Sequence, residues 1–498
     1  MVEQVPEHLD VIVVGAGLSG VGQGHHLQTR CPDRSYAILE GRERMGGTWD
    51  LFRYPGIRSD SDMHTLGFSF HPWTRARSIA DGPSIRAYIE ETAHRFGVGR
   101  HIRYGTRVTE AAWSSKTARW TVRAIVDGRS IAMTCTFLCM CSGYYDYAKG
   151  YVPEFEGAGD FSGRIVHPQF WPEDLDYEGK RVVVIGSGAT AVTLVPAMAK
   201  TAAHVTMLQR SPTYVVARPG EDALANWLRR RLPARAAYGL TRWKNVLLGM
   251  FFYRMARKKP ERTKQRILSM TRKQLGADYD IATHFTPRYN PWDQRMCLVP
   301  DADLFEAIRA GGAEVVTDTI DRFTATGIRL ASGRELAADV IVTATGLELK
   351  LLSGVAFSVD GAAVDLSQAL QYKGMMFSDV PNLAYTFGYT NASWTLKADL
   401  VAIYVCRLLN TMAKRRLRQA TPHNADAGMA TEPFVGFSSG YIQRAAGQLP
   451  RQGTKKPWKL NQNYALDLMA LRYGSVDDAM VFSNPEPAGK PVRVRAAA

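Results

Sequence analysis

Three things are scarce in this chain of 498 residues, and each scarcity closes off a class of protein. Cysteine is the first. Six residues, at 31, 135, 139, 141, 297 and 406, form no framework of closely spaced pairs, which excludes a disulfide-stapled scaffold and fits a reducing compartment. Neither C-x-x-C nor C-x4-C spacing occurs, so a reductase built on a redox-active cysteine pair is excluded as well. Cys135, Cys139 and Cys141 share one parity in the apolar run from Thr134 to Cys141, the pattern of one face of a buried strand. No fourth ligand lies nearby in sequence for zinc, and no metal site is expected.

Long apolar runs are the second. Asn245 to Tyr253 gives nine uncharged residues between Lys244 and Arg254, far short of the roughly 20 that span a bilayer. The N-terminus carries acids and no apolar segment, unlike a secretion signal, so a cytoplasmic protein is expected. The third is acid between Trp227 and Gln274, where Glu261 faces fifteen Lys or Arg and most of the net charge of +15 arises. A basic, apolar-faced helical segment can lie on an anionic membrane surface, or it can pack on its own protein with a solvated basic face. Packing on its own protein is the expectation, with peripheral membrane contact through 227–274 as the alternative. Nucleic acid is not expected as a partner, because no reader motif accompanies the charge.

What is present fits an α/β chain long enough for two or three domains. Leu9 to Val14 is an apolar run of buried-strand type that stops at Gly15-Ala-Gly17-Leu-Ser-Gly20. A helical stretch follows, then a second strand, Tyr36 to Leu39, ending in Glu40, twenty residues past Gly20. The glycines allow a tight turn and close approach of a pyrophosphate, the helix N-terminus favours its charge, and the acid can hold a ribose hydroxyl. The pattern recurs. Arg181 to Ile185 runs into Gly186-Ser-Gly188-Ala-Thr-Ala191, and His204 to Gln209 ends in Arg210-Ser211 where the first site has its acid. A guanidinium and a hydroxyl there suit a ribose 2′-phosphate, so the second site is read as preferring NADP.

Between these two sites lies Phe161-Ser-Gly163-Arg-Ile-Val-His167-Pro-Gln-Phe-Trp171-Pro172. Its pattern F-x-G-x-x-x-H-x-x-x-W-P resembles the fingerprint of Baeyer–Villiger monooxygenases, flavoenzymes that insert one oxygen of O2 beside a carbonyl. Gly46-Gly47-Thr48-Trp49, following Glu40, is similar to the extension of FAD enzymes with two dinucleotide domains. Ala344-Thr345-Gly346 resembles the motif that returns the chain from the NADP unit to the FAD unit. Within class B flavoprotein monooxygenases, the stretches Gly47 to Gly56, Asn290 to Arg295 and Gly388 to Trp394 look closest to the ethionamide-activating group.

The resemblance implies an α/β fold of two Rossmann-like dinucleotide-binding domains, one for FAD and one for NADP, with a helical insertion. The expected division is an FAD unit over 1–148 resuming over 339–498 with the C-terminal segment, an NADP unit over 149–212 and 286–338, and the basic insertion over 213–285. It further implies hydride transfer from NADPH to FAD and oxygen insertion into ketones through a C4a-peroxyflavin, with oxygenation of thioethers or thioamides as a second activity. Arg295 matches the family's catalytic arginine and Asp60 the carboxylate beside it. Asn391 or Ser393 would cap the helix whose positive end points at the flavin. His167 is expected to position the linker rather than to transfer protons. One departure stands out: the family commonly has Lys before the catalytic arginine, and Gln294 stands here, leaving Arg210 to carry more of the NADPH preference. Rival readings are a flavin monooxygenase limited to nitrogen or sulfur, or a redox sensor that keeps nucleotide sites without turnover.

Overall fold

The computed structural model describes residues 6–436 and 439–485. Two parallel sheets organise it. In the first, strand Glu7–Val14 lies between Tyr36–Leu39 and the long strand Arg129–Met140, parallel to both, and Ile102–Arg103 and Leu383–Tyr385 extend the parallel array. Arg129–Met140 also pairs antiparallel with Arg119–Val126, which pairs with Arg107–Ser114. One strand therefore serves both the nucleotide-binding array and the meander carrying Trp113 and Trp120.

Helix Leu18–Arg30 packs against helix Trp394–Arg415. Trp394 Nε1 donates to Ser19 Oγ at 2.7 Å, and His26 Nε2 lies 3.3 Å from Asp399 Oδ1. Burial would raise the Asp399 carboxyl, but His26 and Arg242 outweigh it and hold it below its ordinary range.

The second sheet is wholly parallel, in the order Ala313–Thr317, His204–Gln209, Arg181–Ile185, Val340–Thr343, Arg164–Val166. Val340–Thr343 was expected to open the return to the first unit at residue 339. It instead lies in the second sheet between two parallel neighbours, because three apolar residues and Thr343, all buried, need partners on both edges. The return falls at Ala344–Gly346. There the outgoing strand Tyr145–Gly150 and the incoming strand Leu347–Leu349 pair antiparallel, so both crossings between the sheets share one two-stranded ribbon.

The insertion consists of helices Ala223–Arg231, Ala234–Lys258, Pro260–Leu275 and Ile281–Phe285. It begins after strand Val215–Arg218, which pairs parallel with Cys297–Pro300. All six cysteines are free and buried. The single parity of three of them does not give a single face: Cys139 and Cys141 pack in one core and Cys135 in another. Cys135 is the last residue paired to the meander, and beyond it the strand continues among other partners.

Candidate active site

At the first nucleotide turn Gly15 adopts φ +100°, where a Cβ would stand 2.7 Å from the Cys141 carbonyl oxygen. At Gly20 a Cβ would lie 1.8 Å from the Gly15 carbonyl oxygen, so only glycine lets the helix close on the turn. Helix Leu18–Arg30 starts at Gly17 with no side-chain cap and no acid in its first turn, leaving backbone N–H groups and a positive helix end for an anion. Gly47, at φ +57°, packs face to face on Gly17, and a Cβ on it would lie 3.2 Å from the Gly17 Cα. Thr48 and Trp49 follow on the short helix Thr48–Leu51.

Glu40 is 7% exposed. Its carboxylate accepts from Ala16 N at 2.7 Å and from Arg42 N at 3.0 Å. Burial raises its pKa against these two bonds. Ser142, beside Gly15, has a buried hydroxyl without a protein partner. A narrow glycine cradle, free N–H groups, a buried acceptor and an orphan hydroxyl fit a dinucleotide such as FAD.

The second turn repeats the device. Gly186 has φ +137°, and a Cβ there would meet the Ala344 carbonyl oxygen at 2.4 Å. Around Gly188 there is open space, and helix Ala189–Met198 begins there without a side-chain cap or an acid. Ala191 is fully buried against the sheet. Gln209 is also buried, its amide donating to His284 O and Thr317 Oγ1, whereas Arg210 and Ser211 are exposed at the end of the strand. Ser187 Oγ donates to Ser211 O at 3.1 Å and ties the two loops together.

The linker closes over the ribbon of crossings. His167 Nδ1 accepts from Gln169 N at 3.2 Å, so Nε2 carries the proton and donates to Gly346 O at 3.2 Å. Burial lowers the pKa of this imidazole and favours that neutral form. Its ring lies on Gly150, where a Cβ would be only 2.0 Å from Cε1. His167 thus touches the outgoing strand at Gly150 and the incoming one at Gly346. Gln169 Nε2 adds a bond to Asp146 O, and Thr345 Oγ1 donates to Tyr151 O. Gly163 allows close approach to Asp339 O, Phe161 is buried in the second unit, Trp171 meets Tyr177 edge-on, and the Pro172 carbonyl accepts from Leu175 N.

Arg295 and Asp60, far apart in sequence, form an ion pair at 2.6 Å, their side chains 37% and 41% exposed. The Asp60 carboxylate outweighs burial and holds the guanidinium above its ordinary pKa, with Tyr144, Tyr441 and Tyr145 near enough to add to the effect. Burial raises the phenols of Tyr144 and Tyr145, whose oxygens lie 3.0 Å apart, so both remain protonated donors. The loop bearing Arg295 is held by Trp292 at φ +70°, a left-handed conformation costly for a side chain.

Sequence reasoning passed over the three tyrosines. Tyr144-Tyr145, directly after Gly143 and just past the strand Arg129–Met140, was a usable signal; Tyr441 gave none. Asn391 and Ser393 do not cap by side chain as expected: Ser393 occupies the cap position, but its hydroxyl lies 2.6 Å from Thr65 Oγ1, while Asn391 donates to Gln462 O. Both side chains are turned to these tertiary partners, and the Ser393 hydroxyl makes no bond to its own helix end.

A model of the flavin-binding monooxygenase-like family matches residues 78–352, and one of an NAD(P)-binding Rossmann-like domain matches residues 13–82. FAD-containing monooxygenase EthA of Mycobacterium tuberculosis is 57% identical over 473 residues, covering 95% of this chain and 97% of that protein. The probable FAD-binding monooxygenase AlmA of Acinetobacter baylyi is 46% identical, covering 95% and 96%. Among solved structures, an oxidized steroid monooxygenase bound to NADP covers 96% of this chain and 100% of its own at TM-score 0.75 and 23% identity. An open crystal structure of cyclohexanone monooxygenase has the same coverage at TM-score 0.73 and 20% identity. These two share the fold. On the strength of its near-full-length relatives and of the family match across more than half its length, the chain belongs to the flavin-binding monooxygenase-like family.

Proposed function

We propose that the protein is an FAD- and NADPH-dependent monooxygenase of Baeyer–Villiger type, converting ketones to esters or lactones and also oxygenating thioether or thioamide sulfur. The observation that carries this reading is the Arg295–Asp60 ion pair, a fixed and partly exposed cation with Tyr144, Tyr145 and Tyr441 close by. Bound FAD, once reduced by NADPH, supplies the activated oxygen. The chain's own residues do the rest. Gly17 and Gly188 open two helix N-termini to the two pyrophosphates, Glu40 takes a ribose hydroxyl, and Arg210 with Ser211 takes a 2′-phosphate. Gly47, Thr48 and Trp49 would hold the flavin end of FAD, and Asn391, in the loop that leads into helix Trp394–Arg415, would support it from the other side of the chain's fold.

Arg295 holds the negative charge that develops during oxygen transfer, and Asp60 keeps its guanidinium oriented and charged. One such donor aimed at a developing anion contributes about 3–4 kcal/mol in the transition state. His167 does no proton transfer. Through Gly150 and Gly346 it holds the two crossings together, so that the nicotinamide unit stays in register with the flavin unit. The test is a panel of ketones and thioethers with NADPH, following product mass and oxygen incorporation from isotopically labelled O2. Labelled ester stoichiometric with NADPH supports the reading. Labelled sulfoxide alone would restrict the enzyme to sulfur, and NADPH consumption without any oxygenated product would overturn the monooxygenase reading.

A further inference from the structure

The apolar residues of the basic insertion were expected to pack on the protein itself. Helix Ala234–Lys258 does pack, but with its other face. Ala237, Thr241, Arg242 and Val246 point inward. Arg242, though charged, is buried, donating to the carbonyls of His64 and Gly67 at 2.9 and 3.1 Å. The outward face carries Leu240, Trp243, Leu247 and Phe251, exposed by 55, 43, 55 and 54%. Spacings of three and four residues set these four on one stripe. The adjoining helix Ala223–Arg231 adds Leu224 and Trp227, both nearly half exposed. Single exposed apolar residues are ordinary, whereas a contiguous stripe of large ones marks an interaction surface.

Charge decides between occupants. The segment holds fifteen Lys or Arg against Glu261. Exposed Arg230, Arg231 and Arg235 precede the stripe, and Arg254, Lys258 and Lys259 follow it. A second copy seated on this face would bring the same cations against themselves, within the roughly 8 Å over which charges interact at physiological salt. No helix among the described residues is long and apolar enough to cross a membrane. We infer that this face docks on the surface of a bilayer containing anionic lipid, with the apolar stripe sunk below the headgroups and the basic residues among them. The opposite side of the same helix touches the loop of Arg295, Arg257 pairing with Asp293 at 2.6 Å and Tyr253 meeting Trp292 edge-on at 5.6 Å. Docking therefore holds the loop of Arg295 close to the lipid.

Co-sedimentation of the full-length holoprotein with vesicles tests this, comparing neutral phosphatidylcholine with a mixture containing phosphatidylglycerol, at low and high salt. Tighter binding to the anionic mixture is expected, by on the order of a hundredfold at low salt and weakening as salt rises. The double variant Leu247→Asp/Phe251→Asp should lose about tenfold per residue, while keeping its bound flavin and its NADPH oxidation in vesicle-free buffer. Three results would overturn the inference: equal or absent binding to the two vesicle types, a double variant that binds like the parent, or self-association in vesicle-free sedimentation velocity that the same two substitutions abolish.

Discussion

Gly150→Ala probes the linker at its point of contact. Gly150 lies outside the left-handed region, so alanine is conformationally acceptable and the effect is steric. The added Cβ would stand 2.0 Å from Cε1, 2.5 Å from Nε2 and 2.6 Å from Nδ1 of His167. The ring cannot swing aside freely, because Gln169 N and Gly346 O hold its two nitrogens. Overpacking of this kind costs about 1–3 kcal/mol, and displacing the ring forfeits two hydrogen bonds at about 1 kcal/mol each. The sum, about 3–5 kcal/mol, shifts the ratio of clamped to unclamped ribbon by on the order of a hundred- to a few thousandfold. The assay is coupling, measured as oxygenated product and hydrogen peroxide formed per NADPH oxidised. NADPH oxidation should persist while the product share falls by about tenfold or more and peroxide rises. His167→Ala removes the ring and the clash together, so Gly150→Ala/His167→Ala should couple better than Gly150→Ala alone and about as well as His167→Ala. Parental coupling in Gly150→Ala, or a double variant worse than the single, would refute the clamp.

Four other perturbations have defined outcomes. Arg295→Ala should leave NADPH-driven flavin reduction within a few-fold of the parent and reduce ester formation by on the order of a hundred- to a thousandfold; stopped-flow reduction with product analysis separates the two, and unimpaired ester would assign anion stabilisation elsewhere. Arg210→Ala removes a charge-assisted bond of about 1.5–3 kcal/mol, so KM for NADPH should rise roughly ten- to a hundredfold with KM for NADH little changed, and equal effects would sink the 2′-phosphate assignment. Lys397 and Asp467 form a buried pair at 2.8 Å that Tyr389 joins through its hydroxyl; Lys397→Met strands the carboxylate at about 3–5 kcal/mol, and Lys397→Met/Asp467→Leu should recover much of the loss in thermal unfolding. Burial pushes His25, stacked on Phe70 at 3.6 Å, down to about 4. Above pH about 6.5 folded and unfolded forms are both neutral there; between that pH and about 4 only the unfolded form takes the proton, so stability falls by up to roughly 3 kcal/mol and then levels off. His25→Gln should flatten that part of a denaturation-versus-pH curve, and an unchanged slope would locate the titration in other groups.

The sequence by itself determined what depends on short-range chemistry. Gly15-x-Gly17 and Gly186-x-Gly188 stand directly after apolar runs, and those local patterns dictate strand, tight turn and open helix end wherever the chain goes next. Glu40 and Arg210 were legible as opposite choices at equivalent strand ends for the same reason. Tertiary structure decided whatever requires segments distant in sequence to meet. The ion pair of Arg295 with Asp60 and the tyrosines around it join residues from distant parts of the chain, and the imidazole of His167 lies on Gly150 where strands 145–150 and 347–349 pair side by side. The same holds for Val340–Thr343, whose apolar pattern marks it as buried but not in which sheet, and for Ser393, whose hydroxyl prefers Thr65 to its own helix end. In the insertion, composition alone left open whether the apolar residues faced the protein or the solvent. Helical phase turned Leu247 and Phe251 outward, because Arg242 and Val246 occupy the inward face.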